Sequence, residues 1–182
     1  ARADSPPVEF ASGRAMNHVA QIAKAPHPVG SAAHKQVRDY VLNELTTLGI
    51  KPEVQETSVS NIVAALKGTR NSKALLLVSH YDTVQNAPGA GDDSSGVALM
   101  LEIARALKAS GPLNNDVIFL FSDGEETGLL GAKAFVNQHP WSRDCRQAGR
   151  CFAPSAVPCR ARRARPRPRS RAGISSGCRW RP

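Results

Sequence analysis

Two uninterrupted apolar runs, Ala74-Leu75-Leu76-Leu77-Val78 and Val117-Ile118-Phe119-Leu120-Phe121, constrain the fold of this chain more than any other feature. Neither alternates apolar with polar residues, so each reads as a strand covered on both faces. A strand half open to water would show a polar residue at every second position. Between the runs, Val97, Met100, Leu101, Ala104 and Leu107 recur at helical spacing, and Gly111-Pro112 stops that helix. Strand, helix and strand in that order suit a right-handed crossover between parallel strands. The expectation is an α/β body, with a mostly parallel central sheet sandwiched by helices.

The flanking segments fit such a body. A helix is expected from about Ser12 to Ala25, with Met16, Val19, Ala20 and Ala23 on one face. Pro26-His27-Pro28-Val29-Gly30 breaks it, and Ser31 can cap the next. Val37, Tyr40, Val41, Glu44, Leu45 and Leu48 form the strongest helical stripe in the chain, with Gly49 as its stop. Strands are expected near Glu53–Val59 and Asn61–Leu66, a turn from Gly68 to Ser72, and a last helix from Leu129 to Asn137. No apolar run approaches the roughly 18 to 20 residues of a membrane helix. Ala1 rather than Met opens the chain, which leaves room for a leader or membrane anchor ahead of it; localisation is otherwise unknown.

The chain has 182 residues and a net charge of +9, which would suit a nucleic-acid binder if it were spread evenly. It is not. Residues 1–144 hold 13 Lys and Arg against 15 Asp and Glu, whereas residues 145–182 hold 11 Arg and no acid. All four cysteines (Cys145, Cys151, Cys159 and Cys178) also lie in that tail, so the body offers no disulfide framework and no thiolate metal site. We expect a domain over 1–144 and an Arg/Pro/Ala-rich tail over 145–182 that cannot offset its own ordering entropy. The abrupt shift to residues with GC-rich codons favours a non-native reading frame. A nucleic-acid partner is expected only if the tail is genuine, as a phosphate-binding arm.

Three hydrophilic clusters stand at the ends of the apolar elements: His80-Tyr81-Asp82, Gly91-Asp92-Asp93-Ser94-Ser95-Gly96 and Asp123-Gly124-Glu125-Glu126-Thr127-Gly128. In parallel sheets ligands bind beyond the carboxyl ends of the strands, so all three should meet on one rim. Several carboxylates brought together repel unless a cation neutralises them. A histidine with carboxylate oxygens and no sulfur suits zinc, with manganese or cobalt as substitutes. Asp82 stands two residues beyond His80, where its side chain can orient the imidazole. Of the adjacent Glu125 and Glu126, one can bind metal while the other takes a proton from water. The bland alternatives are a hydrogen-bonded strand-end histidine, a capping cluster at Asp92-Asp93-Ser94, and acids charging a helix N-terminus. His27 reads as shaping its proline turn, and His18 and His34 as surface residues of helices.

The motifs Ser79-His80-Tyr81-Asp82, Gly89-Ala90-Gly91-Asp92-Asp93-Ser94-Ser95-Gly96 and Asp123-Gly124-Glu125-Glu126-Thr127-Gly128-Leu129-Leu130-Gly131-Ala132 resemble those of the co-catalytic zinc exopeptidases. That family includes bacterial leucyl-type aminopeptidases and related membrane-anchored metallopeptidases. Pro26-His27-Pro28-Val29-Gly30-Ser31 is similar to its N-terminal region, and the resemblance runs from about Phe10 to Asp144. It implies a zinc-exopeptidase-like fold and two zinc ions per site. His80 would be a ligand of one zinc, Asp92 the carboxylate shared by both, and Glu126 a ligand of the second. Glu125 would be the general base, Asp82 the partner of His80, and Asp93 a residue shaping the backbone beside Asp92. The implied reaction is hydrolysis of an N-terminal peptide bond of a peptide substrate.

The family pattern also needs an acid and a histidine further on. After Glu126 the chain has Asp144 and His139, neither in a matching motif, so the second zinc site is expected to be incomplete and the chain truncated. Two other classes of function stay open. One is a glutaminyl cyclase or carboxypeptidase relative. The other is a non-catalytic fragment or a basic-tail interaction protein. The short interval from His80 to Asp92 argues against carboxypeptidases with a longer spacer, and the paired acids favour a peptidase over a cyclase.

Overall fold

The computed structural model describes residues 2–70 and 74–142. Its elements are α1 (Ser12–Ile22), α2 (Ala32–Thr47), β1 (Glu53–Glu56), β2 (Ser60–Leu66), β3 (Ala74–His80), α3 (Ser95–Ala109), β4 (Asp116–Ser122) and α4 (Leu130–Gln138). A wide turn, Ala90–Ser94, leads into α3, and the Asp92-Asp93 peptide within it is cis. No helix among the described residues is long and apolar enough to cross a membrane. The tail expected over 145–182 lies outside the described residues.

Local chemistry explains the ends of α2. The Ser31 hydroxyl accepts the His34 amide at 3.0 Å, satisfying one of the amides a helix start leaves unpaired. At the other end Gly49 takes a φ of +67°, and the Ile50 and Gly49 amides donate back to the carbonyls of Leu45 and Thr46. That double closure needs a left-handed residue, which glycine adopts at least cost. Between these stops Val37, Val41 and Leu45 are buried on one face.

The four strands form one sheet in the order β1-β2-β4-β3. β3 and β4 run parallel from Ala74 opposite Asp116 to His80 opposite Ser122. β1 with β2, and β2 with β4, are antiparallel, so the sheet is mixed rather than mostly parallel. The reason is connection length. Residues 57–59 are too few for a crossover, so β1 and β2 must close as a hairpin. Expecting both apolar runs to be covered on both faces was right for β4, buried at all seven positions, but not for β3. In this sheet β3 is an edge strand, and Leu75 is 45% exposed.

Helices cover both faces of the sheet. On one, Phe119 and Phe121 pack with Ile22 of α1, Val37, Val41 and Leu45 of α2, and Met100, Leu101 and Ala104 of α3. On the other, Val63, Ile118 and Leu120 pack with Phe135 of α4, and Trp141 leans against them. Alternate side chains of β4 thus feed opposite layers, as the pleat requires.

The inward face of α1 is not the apolar one expected from Met16 and Ala20, which are exposed. Arg14, His18 and Ile22, at i, i+4 and i+8, turn inward instead. Arg14 Nε donates to the fully buried Glu102 carboxylate of α3 at 3.0 Å, and His18 Nδ1 lies 2.6 Å from the Tyr40 hydroxyl. Glu102 also accepts the Ala11 amide at 2.9 Å and Arg105 Nε at 2.6 Å. The two guanidiniums bind carbonyls of the N-terminal segment, Ser5 and Glu9 among them. A polar clasp, not an apolar stripe, sets the rotation of α1.

Candidate functional site

Parallel, in-register pairing ends β3 and β4 abreast, with His80 opposite Ser122. The loops carrying His80-Tyr81-Asp82 and Asp123–Glu126 therefore leave the sheet side by side. The crossover through α3 brings the Asp92-Asp93 turn to the same rim. His80 Nε2 lies 3.1 Å from Asp92 Oδ1 and 3.9 Å from Glu125 Oε2.

The other imidazole nitrogen, Nδ1, lies 3.0 Å from the Asp82 backbone carbonyl, which can only accept. Donation from Nδ1 to that carbonyl leaves the Nε2 lone pair facing Asp92 in the neutral ring. The Asp82 carboxylate is slightly farther from Nδ1, at 3.5 Å, and is engaged elsewhere. Its Oδ1 accepts the Glu125 amide at 3.0 Å and its Oδ2 the Glu126 amide at 3.1 Å. Asp82 is thus a clamp between the first and third clusters as well as a neighbour of the imidazole.

Asp93 ties the second cluster to the first. Its Oδ2 accepts the Ser79 hydroxyl at 2.6 Å, and its Oδ1 accepts the Gly96 amide at 3.0 Å in the first turn of α3. A side chain at Gly96 would collide with this carboxylate, so the glycine is there for space.

The electrostatics follow from this crowding. Burial works against a charged His80, but the hydrogen bond and charge of Asp82, then Asp92 and Asp93, outweigh it and push the imidazole up to about 9. Burial likewise pushes Asp82 up, yet His80 and the two backbone amides overcome it and hold the carboxyl below its ordinary value. Glu126, though exposed, is raised by slight desolvation and then by the charge of Asp92. The carboxylates of the rim thus favour a positive charge on His80.

Whether the donors fit a metal can be judged on geometry. Zinc–ligand bonds of about 2.0–2.2 Å put tetrahedral ligand atoms roughly 3.3 Å apart. The 3.1 Å between His80 Nε2 and Asp92 Oδ1 matches two ligands of one ion. Glu126 is exposed beside them, and among the described residues no three His, Cys, Asp or Glu side chains close into a complete ligand group. The donor types and the first pair suit zinc.

His139 is not at this rim. It stacks on Phe135 at 4.8 Å, meets Trp141 edge-on at 5.0 Å, and has Nε2 3.6 Å from Glu53 Oε1. Burial lowers its pKa. Asp144 lies outside the described residues. His34 departs from its expectation. His34, expected on the surface, is buried, and its Nε2 lies 2.8 Å from Asp123 Oδ1. The signal was available: extending the buried stripe of Val37, Val41 and Leu45 back by three residues lands on His34. His27 is also buried, with its amide donating to the Thr83 hydroxyl at 2.8 Å and Nδ1 2.8 Å from the Ala25 carbonyl.

Comparison with known proteins agrees with this architecture. The model of the family described as peptidase family M28 matches residues 61–148. A vacuolar membrane protease of Schizosaccharomyces japonicus is 35% identical over 154 residues, covering 72% of this chain and 18% of that protein. The chain therefore spans under a fifth of the length of that relative. Among solved structures, a Zn-dependent exopeptidase from Parabacteroides distasonis superposes with a TM-score of 0.64 at 27% identity, covering 72% of this chain and 57% of that one. Tannerella forsythia glutaminyl cyclase superposes with the same score at 26% identity and the same coverage.

Proposed function

The chain belongs to peptidase family M28, and on that premise we propose that it is part of the catalytic domain of a zinc-dependent exopeptidase cleaving N-terminal residues from peptides. The observation that carries the reading is His80 Nε2 facing Asp92 Oδ1 at 3.1 Å, while Asp82 holds both amides of the Glu125-Glu126 loop. His80 and Asp92 would hold one zinc, and Glu126 with Asp92 would contribute to a second. Bound zinc supplies a Lewis acid that polarises the scissile carbonyl.

This chain's own residues do the rest. Glu125 is the general base that takes a proton from the attacking water and returns it to the leaving amine. Its carboxylate, 3.9 Å from the imidazole, stands at the rim but outside hydrogen-bond reach of His80, which leaves it open for that role. Asp82 keeps the imidazole oriented and the glutamates aimed. Asp93 holds the turn on which Asp92 sits. Residues 1–144 would form this portion of the domain, with 145–182 as a separate tail.

Zinc stoichiometry and aminopeptidase turnover of the purified chain, beside Glu125→Ala, test this. Turnover should fall about 10²- to 10⁴-fold in the variant while zinc stays bound. A parent chain with neither zinc nor turnover would favour the non-catalytic fragment over a working exopeptidase. The likeness to a glutaminyl cyclase supports a second one, so the assay includes a peptide with N-terminal glutamine. Release of free glutamine marks the peptidase, and loss of ammonia with ring closure marks the cyclase.

A further inference from the structure

Beneath the rim lies a buried pair outside the proposed ligands and base. His34 enters from α2 and places Nε2 2.8 Å from Asp123 Oδ1, two residues before Glu125. The second oxygen of Asp123 accepts the Ser60 amide of β2 at 2.8 Å. The Asp123 amide donates to Asn61 Oδ1 at 3.0 Å, and its carbonyl accepts the Gly131 amide of α4 at 2.8 Å. One residue thus joins α2, β2 and α4 at the point where the chain turns toward Glu125.

His34 supports the neighbouring loop as well. Its ring stacks on Tyr81 at 4.9 Å with the planes 12° apart. Tyr81 lies between His80 and Asp82, donates its amide to the Ser122 carbonyl at 3.0 Å, and donates its hydroxyl to the Ser60 carbonyl at 2.6 Å. The loop of the imidazole and the loop of the glutamates therefore rest on one side chain. A free loop would have to be ordered at an entropic cost, and a misplacement near 1 Å is enough to spoil a site.

On the reading of this rim as a metal site, we propose that His34 and Asp123 are positioning residues that fix the Glu125-Glu126 loop against the His80-Asp82 loop. His34→Leu removes the donor and leaves Asp123 half-paired. His34→Gln keeps a nitrogen donor at similar reach. Asp123→Asn keeps one acceptor only, so either the Ser60 amide loses its partner or His34 loses the charged oxygen it faces.

Amide hydrogen exchange of the metal-free full chain is the first measurement. In His34→Leu and Asp123→Asn the Glu125 and Glu126 amides should exchange about 10-fold faster or more, while the middle of α3 keeps its protection. His34→Gln should restore them. Titration with zinc alone is the second: the dissociation constant should rise about 10- to 100-fold in His34→Leu and return toward the parent in His34→Gln.

Unchanged exchange at Glu125 and Glu126 overturns the inference. So does loss of protection spread equally through α3, or failure of His34→Gln to restore either readout. A parent chain that binds no zinc removes the metal reading of the rim, and the exchange comparison then decides the positioning role by itself.

Discussion

Asp82 and Glu102 are both buried carboxylates, and burial makes an unpaired charge prohibitive. Asp82 meets that cost with backbone amides from the loop it organises, so its ionisation is tied to the geometry of the rim. Glu102 meets it with Arg14, Arg105 and the Ala11 amide, far along α3 from Asp92. Burial pushes Glu102 up, but Arg105, Ala11 and Arg14 together hold it below the ordinary value of 4.5. As pH falls through that ordinary value, the unfolded chain takes up the proton before the folded one. The contribution of Glu102 is thus whole above about 4.5 and is lost as pH falls through its lower folded value. Glu102→Gln should cost about 3 kcal/mol at neutral pH and flatten the decline of the urea midpoint as pH falls below 4.5. An unchanged acid slope in the variant would remove Glu102 as its source.

Among the elements, α2 is the one whose sequence and structure agree at both ends. Ser31, the Val37-Val41-Leu45 face and Gly49 each act over four or five residues, and nothing distant opposes them. Ser31→Ala should destabilise the protein by about 1 kcal/mol, read as a lower urea midpoint with an unchanged slope. The effect is expected to be modest because tertiary packing carries most of the helix's stability. α1 is the counterexample. Its apolar spacing pointed to Met16 and Ala20, yet the clasp on Glu102 turned Arg14 and His18 inward. A buried ion pair outweighs a weak stripe, and its partner stands 88 residues away.

At the scale of the whole molecule, β4 is the centre: it pairs with β2 on one side and β3 on the other, and its side chains fill both layers. Phe121, fully buried at the level where β4 reaches the rim, joins the core to the site. Phe121→Ala should cost about 3–5 kcal/mol in chemical denaturation, and a loss below 1 kcal/mol would contradict that placement. Strand and helix positions, the capping serine, the strand-end clusters and their convergence on one rim could all be read before folding. Periodicity, caps and turns act within a few residues, and a parallel strand-helix-strand unit has essentially one hand. Strand order and the partners of the buried polar side chains could not. The insertion of β4 beside β2, the exposed edge of β3 and the pairing of His34 with Asp123 depend on residues brought together from far along the chain. Those contacts leave no periodic trace in the chain, so only its packing decides which neighbours a polar side chain will meet.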